Sequence, residues 1–388
     1  MKIKNISYYI TLIFASSISF YLTKITLYSP IYLIYTTIAP ICIIYIIYRQ
    51  KTLSLSWDII ISLILLIYTL FLVIFIHTDS LFSGASVNLF LGLLAYIFIR
   101  LAKKNIGQVH YNVIINMMIY ITLILTTGDT IYRLLNPSFD VTTPYLESKW
   151  FYYYKVNTVM FADSNTTGLI LIILYFFIIQ MEKFNTLNIN VKKIKYIKML
   201  LIILLIISFS RAAYTAFILG SLYEKYHIQN KNYFIIFLKY AMIPIVFAIA
   251  FLIFSYLYIT DLSFQSKFEI INIAINVYKE FSLYNKIFGI GFLKWEDVLG
   301  IYTHNIFITY IIQTGSIGLF IFILFIISTF RKAKYIWIPI IIVSLSFFSY
   351  LGTPFLFVPL AIICNIYDDF MVKKRYTMSI IYNIPYHK

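Results

Sequence analysis

Charge is scarce in this chain: Asp, Glu, Lys and Arg make up 12% of its 388 residues, and 61% are hydrophobic. So few polar groups cannot cover so much apolar surface in water, which excludes a soluble globular protein. Acids are scarcer still, 15 against 31 Lys and Arg. Cysteine is nearly missing, and Cys42 and Cys364 both fall inside apolar runs, far from any metal-ligand spacing, so they read as packing residues. No small-residue cleavage site follows the N-terminal apolar run, which is expected to stay as a first helix. The last half carries no convincing repeat of the first, which weakens a transporter built from two equivalent halves.

What the chain does have is long apolar runs. Backbone groups inside a bilayer must find partners within a helix, so runs of roughly 20 apolar residues read as spans. Twelve are expected, near residues 7–23, 29–48, 59–77, 85–99, 112–128, 164–181, 199–210, 212–223, 240–259, 310–329, 336–351 and 354–367. The seventh and eighth are short and meet at Arg211. The expected fold is therefore all-α, a single polytopic transmembrane domain over 1–388. Twelve spans put both termini on one side, and 22 of the 31 basic residues then share that side, as cytoplasmic loops do. The formal charge of +16 describes that rim and is no sign of nucleic-acid binding.

Only two loops on the opposite face are long, about 129–163 and 260–304. Long loops in compact folds commonly serve as lids or binding surfaces, so function is expected there. The second contains an amphipathic helix expected to lie on the membrane surface, with Phe268, Ile271, Ala274, Ile275 and Tyr278 on one side.

Four segments point to this face. Lys155 and Asp163-Ser164-Asn165 close the first loop; Arg211 ends Ser208-Phe209-Ser210-Arg211; Lys267 precedes the amphipathic stretch; His304-Asn305 closes the second loop after Phe288-Gly289-Ile290-Gly291. Each has a plain reading beside the functional one. Arg211 either snorkels at a helix end or grips an anion, for which a guanidinium fork suits two phosphate oxygens. Lys155 and Lys267 are solvated loop charges or anion contacts, and Asp163-Ser164-Asn165 caps a helix or meets substrate. Gly289 and Gly291 allow a sharp turn or a close approach to a ligand. His304 is a satisfied interfacial histidine or a general base, since an imidazole with a pKa of about 6.5 can activate a hydroxyl at neutral pH. Such a base suits a leaving group already stable as an anion, and a lipid diphosphate beside cationic side chains fits. No Asp-x-Asp cluster occurs on this face, so metal-free and cofactor-free chemistry is expected.

His304-Asn305, nine intervening residues, then Gly315-Ser-Ile-Gly318 resembles the histidine block of the O-antigen polymerase and O-antigen ligase superfamily. The blocks Asp163–Asn165, Ser208–Arg211, Ser266-Lys267 and Phe288–Gly291 follow what resembles that family's order, covering roughly residues 150–320. The resemblance implies a GT-C type glycosyltransferase of the bacterial inner membrane, acting on undecaprenyl-diphosphate-linked oligosaccharide at the periplasmic face. It implies that Arg211 binds the diphosphate and that His304 activates the acceptor hydroxyl. Lys155, Asp163, Asn165, Lys267, Asn305, Gly289 and Gly291 would line the substrate. Membrane lipid and a chain-length regulator protein are candidate partners. Lys267 stands where many members carry a second arginine, keeping the charge and losing the fork. The stretch Trp150–Asn165 resembles polymerases more than ligases, and a flippase for the same lipid-linked units is the rival of a different class.

Overall fold

A computed structural model describes residues 3–23, 25–26, 29–49, 55–80, 83–139, 153–161, 164–187, 189–226, 262–292, 305–345 and 353–382. Every regular element among them is helical: α1 (Ile3–Ser17), α2 (Pro30–Arg49), α3 (Trp57–Phe71), α4 (Gly84–Ala102), α5 (Gln108–Leu135), α6 (Ser164–Lys183), α7 (Val191–Ile207), α8 (Arg211–Tyr226), α9 (Leu262–Glu280), α10 (Leu283–Phe288), α11 (Ile306–Ser344) and α12 (Pro354–Tyr382). Seven helical stretches among the described residues are long and apolar enough to cross a membrane, so this is a multi-pass membrane protein.

The helices fall where the apolar runs lead one to expect them, with informative differences. The expected run at 240–259 lies outside the described residues. α1, α7 and α8 have 15, 17 and 16 residues, short of a full crossing. α5 continues to Leu135, so Asp129 and Arg133, expected in the first long loop, are helical residues. α11 takes in the run expected at 310–329 and residues 336–344 of the run expected at 336–351. It folds back on itself: the Phe325 and Trp337 rings lie 6.2 Å apart, whereas 12 residues of straight helix rise about 18 Å. The reversal falls at Ala333, whose backbone leaves the helical region (φ −129°, ψ 35°), and the Trp337 indole donates across it to the Thr329 hydroxyl at 2.9 Å.

α4, α6 and the first half of α12 are buried along almost their whole length. Around them the bundle has two distinct ends. At one, Arg100 near the end of α4 pairs with Asp58 in the first turn of α3 (2.7 Å) and with Asp368 on α12 (2.8 Å), and Lys332 at the α11 reversal reaches Asp58 (2.9 Å). Asp58 and Arg100, which flank the runs expected at 59–77 and 85–99, are both buried, and their charges are mutually neutralised. The other end gathers the last turns of α5 and α7 and the first turns of α6 and α8, with Lys155, Asn165 and Arg211 of the expected site.

Candidate functional site at the Arg211 end

Ser208, Phe209 and Ser210 make the turn from α7 into α8. Phe209 has φ +54°, a left-handed conformation that a residue with a bulky side chain adopts only when its surroundings enforce it. The enforcement comes from the carbonyls at the end of α7, which a helix leaves without intrahelical partners. The Leu204 and Leu205 carbonyls accept the Ser208 N–H at 2.9 and 3.1 Å. The Ile206 carbonyl takes the Tyr214 hydroxyl from α8. The Ile207 carbonyl takes Nη2 of Arg133 from α5 at 2.9 Å, and the Ser208 carbonyl takes the Ser164 hydroxyl from α6 at 2.5 Å. Three other helices thus hold one turn. Close packing completes it: a Cβ on Gly168 would lie 3.0 Å from the Ala213 Cβ.

Ser210 starts α8, its hydroxyl accepting the Ala213 N–H at 3.4 Å, and its carbonyl accepts the Tyr214 N–H at 3.0 Å. Arg211 is therefore the first helical residue, and it is exposed. A guanidinium beside the N–H groups of a helix N-terminus favours an anion twice over, by charge and by hydrogen-bond donors.

Sequence reasoning placed Asp129 and Arg133 in a loop and gave them no role. Thr122, Thr126, Asp129, Thr130 and Arg133 form a buried stripe on α5, and their spacing of three to four residues is the signal that would have found them. The Asp129 carboxylate accepts the N–H groups of Val159 (2.7 Å) and Met160 (3.1 Å) and the Thr167 hydroxyl (3.1 Å). It ties the Val159–Met160 backbone to Thr167 in α6. Of that block, Asp163 lies outside the described residues, Ser164 binds the Ser208 carbonyl, and Asn165 is half-buried in the first turn of α6. The Lys155 carbonyl accepts the Ser164 N–H at 3.0 Å, which brings that residue to the same corner.

The glycine blocks form a second locus on α11. Gly315 breaks that helix (φ +70°, ψ −175°), which disturbs the bonding of the carbonyls just before it. Phe288–Gly291 supplies partners: the Ile290 N–H donates to the Ile312 carbonyl (2.9 Å) and the Gly291 N–H to the Gln313 carbonyl (3.2 Å). The Tyr68 hydroxyl from α3 takes the Thr314 carbonyl at 2.7 Å. Neither glycine has room for a side chain, since a Cβ on Gly289 would stand 2.3 Å from the Gln313 oxygen and one on Gly315 2.0 Å from the Ile287 oxygen. A Cβ on Gly318 would meet Thr314 Oγ1 at 2.1 Å. Gly289 and Gly315 thus lock backbone to backbone, and Gly291 sits against the side chain of His77 at the end of α3.

Asn305 caps α11: its side-chain oxygen accepts the N–H groups of Phe307 (3.0 Å) and Ile308 (3.2 Å). His304 lies outside the described residues. Lys267 is half-buried on α9, which packs Ala274 and Val277 against Ile290 and Ile312. The docked edge is Ala274, Val277 and Phe281, while Ile273 and Ile275 stay exposed, so part of the apolar side expected to meet the membrane meets α11 instead. α11 also packs against α6 and α8, the Tyr223 and Tyr335 rings lying 6.0 Å apart.

Comparison with protein-family models, with curated proteins and with solved structures returns no match in any of the three.

Proposed function

We propose that this protein is a metal-independent membrane glycosyltransferase, with a GT-C type fold of twelve spans. It transfers glycan from undecaprenyl diphosphate to a lipid-linked repeat unit, as an O-antigen polymerase does, at the periplasmic face of a bacterial inner membrane. The observation that carries this reading is the clamped turn of Ser208–Ser210, which delivers an exposed Arg211 at the N-terminus of α8. A diphosphate leaving group needs cationic, preorganised donors where its charge develops, and a guanidinium on a rigid turn supplies them without reorganisation.

The Arg211 end is read as periplasmic and the Asp58 end as cytoplasmic, with both termini there. Lys103, Lys183, Arg331 and Lys334 belong to the Asp58 end, in keeping with the bias of basic residues toward the cytoplasm. His304, one residue before the capped start of α11, is read as the base that activates the acceptor hydroxyl. A flippase would place unneutralised charges along a central path. Asp58, Arg100, Lys332 and Asp368 neutralise one another instead, and the buried Asp129 and Arg133 direct their hydrogen bonds to backbone groups and Thr167, which favours the enzyme.

Reconstitution in proteoliposomes with undecaprenyl-diphosphate-linked repeat units tests the reading. Longer glycans formed without nucleotide sugar or added metal support a polymerase. Transfer to lipid A core only would make it a ligase, and translocation without elongation would make it a flippase.

A further inference from the structure

The Arg133 guanidinium is fully buried, yet it forms no salt bridge among the described residues. Asp129, one helical turn earlier, gives its oxygens to Val159, Met160 and Thr167. Arg133 instead donates to two backbone carbonyls: Nη1 to Tyr154 and Nη2 to Ile207 at 2.9 Å. Those contacts tie together segments remote in sequence. Tyr154 precedes Lys155, whose carbonyl receives the Ser164 N–H, and Ser164 in turn donates to the Ser208 carbonyl. Ile207 opens the turn in which Phe209 is left-handed. One cation therefore closes a ring of contacts through the 154–155 segment, the start of α6 and the end of α7, and that ring surrounds the turn that launches Arg211. A bare carbonyl at Ile207 would leave the Tyr214 and Ser164 contacts but remove the turn's tie to α5, loosening a left-handed Phe209 that persists only while its surroundings enforce it.

We propose that Arg133 is a positioning residue for Arg211: it holds the α7–α8 turn so that the Arg211 guanidinium leaves α8 in one direction. The catalytic consequence rests on the reading of Arg211 as the diphosphate contact; the placement itself does not.

The test uses purified full-length protein carrying Arg211→Cys, whose native Cys42 and Cys364 are buried. The rate of maleimide labelling at position 211 is compared with that after adding Arg133→Ala or Arg133→Lys. Positioning predicts a several-fold change in rate with Arg133→Ala and a smaller one with Arg133→Lys. In proteoliposomes with Arg211 intact, Arg133→Ala should lower kcat/KM for the lipid-linked donor by about a hundredfold, mainly through kcat, with partial rescue by Arg133→Lys. Unchanged labelling in both variants overturns the proposal, as does altered labelling with undiminished elongation in a protein that elongates. If Arg133→Ala does not fold, the lysine variant carries both comparisons. Altered labelling in a protein whose parent elongates nothing retains the positioning and removes the glycosyltransferase reading.

Discussion

A Cβ built on Gly289 would stand 2.7 Å from the backbone nitrogen of Gly315, although 26 positions separate the two glycines in the chain. Both have left-handed φ, +80° and +70°, and their segments exchange backbone contacts at the α11 break. The two glycine blocks that stand out in the sequence are two sides of one joint.

Gly289→Ala and Gly315→Ala should each destabilise the protein by more than about 2 kcal/mol, because strain at φ adds to a clash with backbone that cannot swing aside. Gly128→Ala is the reference, since nothing lies within 4 Å of its Cβ position. Thermal unfolding of the purified variants in detergent gives the comparison. Equal midpoints for all three would show that the joint has more room than its backbone distances allow.

Arg100→Ala should cost about 3–5 kcal/mol, because it leaves Asp58 buried beside a weaker partner, Lys332. Lys332→Ala should cost less, since its ammonium is more exposed and Arg100 still neutralises Asp58. A double-mutant cycle on Asp58 and Arg100 measures their coupling. Additive losses would mean that the ion pair contributes nothing beyond the two residues' separate packing.

Asn305→Ala should lose the α11 cap and about 0.5–2 kcal/mol of stability, and Asn305→Asp should restore it, because a carboxylate accepts the same two N–H groups. Elongation at a temperature where both variants are folded separates the two roles of this residue. Retained activity in Asn305→Ala assigns it to the cap, and a folded but inactive variant assigns it to substrate as well.

His304→Ala and Arg211→Ala should abolish elongation while leaving membrane insertion and expression unchanged. Lys267→Arg should keep activity, since a guanidinium offers phosphate the ammonium's charge plus a fork. Glycan length on gels, in a strain lacking the chromosomal copy, reads all three. Normal chain length in either alanine variant would remove that residue from the mechanism, and an inactive arginine variant would detach Lys267 from the phosphate.

The helical, membrane-embedded class was legible from composition, because apolar runs of span length admit few other structures in a bilayer. Among the described residues most helix positions followed for the same reason; α5 runs on past its expected end to Leu135, and the two runs of α11 join through a reversal at Ala333 with almost no loop. The candidate site stands in the sequence as a set of blocks. Gly289, Gly315 and Arg211 stood out because glycine pairs and a lone guanidinium among apolar residues are visible in one dimension.

Asp129 and Arg133 show where that legibility stops. In the sequence they are two charges near the end of an apolar run, and a solvated loop accounts for them as well as a buried stripe does. Their function depends on which carbonyls and N–H groups lie opposite them, and those belong to Tyr154, Val159, Met160 and Ile207, as much as 74 positions away. Patterning along a chain reports which residues prefer the bilayer and at what period. It carries no information on which helix ends meet, because a buried charge is stabilised by its spatial neighbours, and these are set by packing between helices.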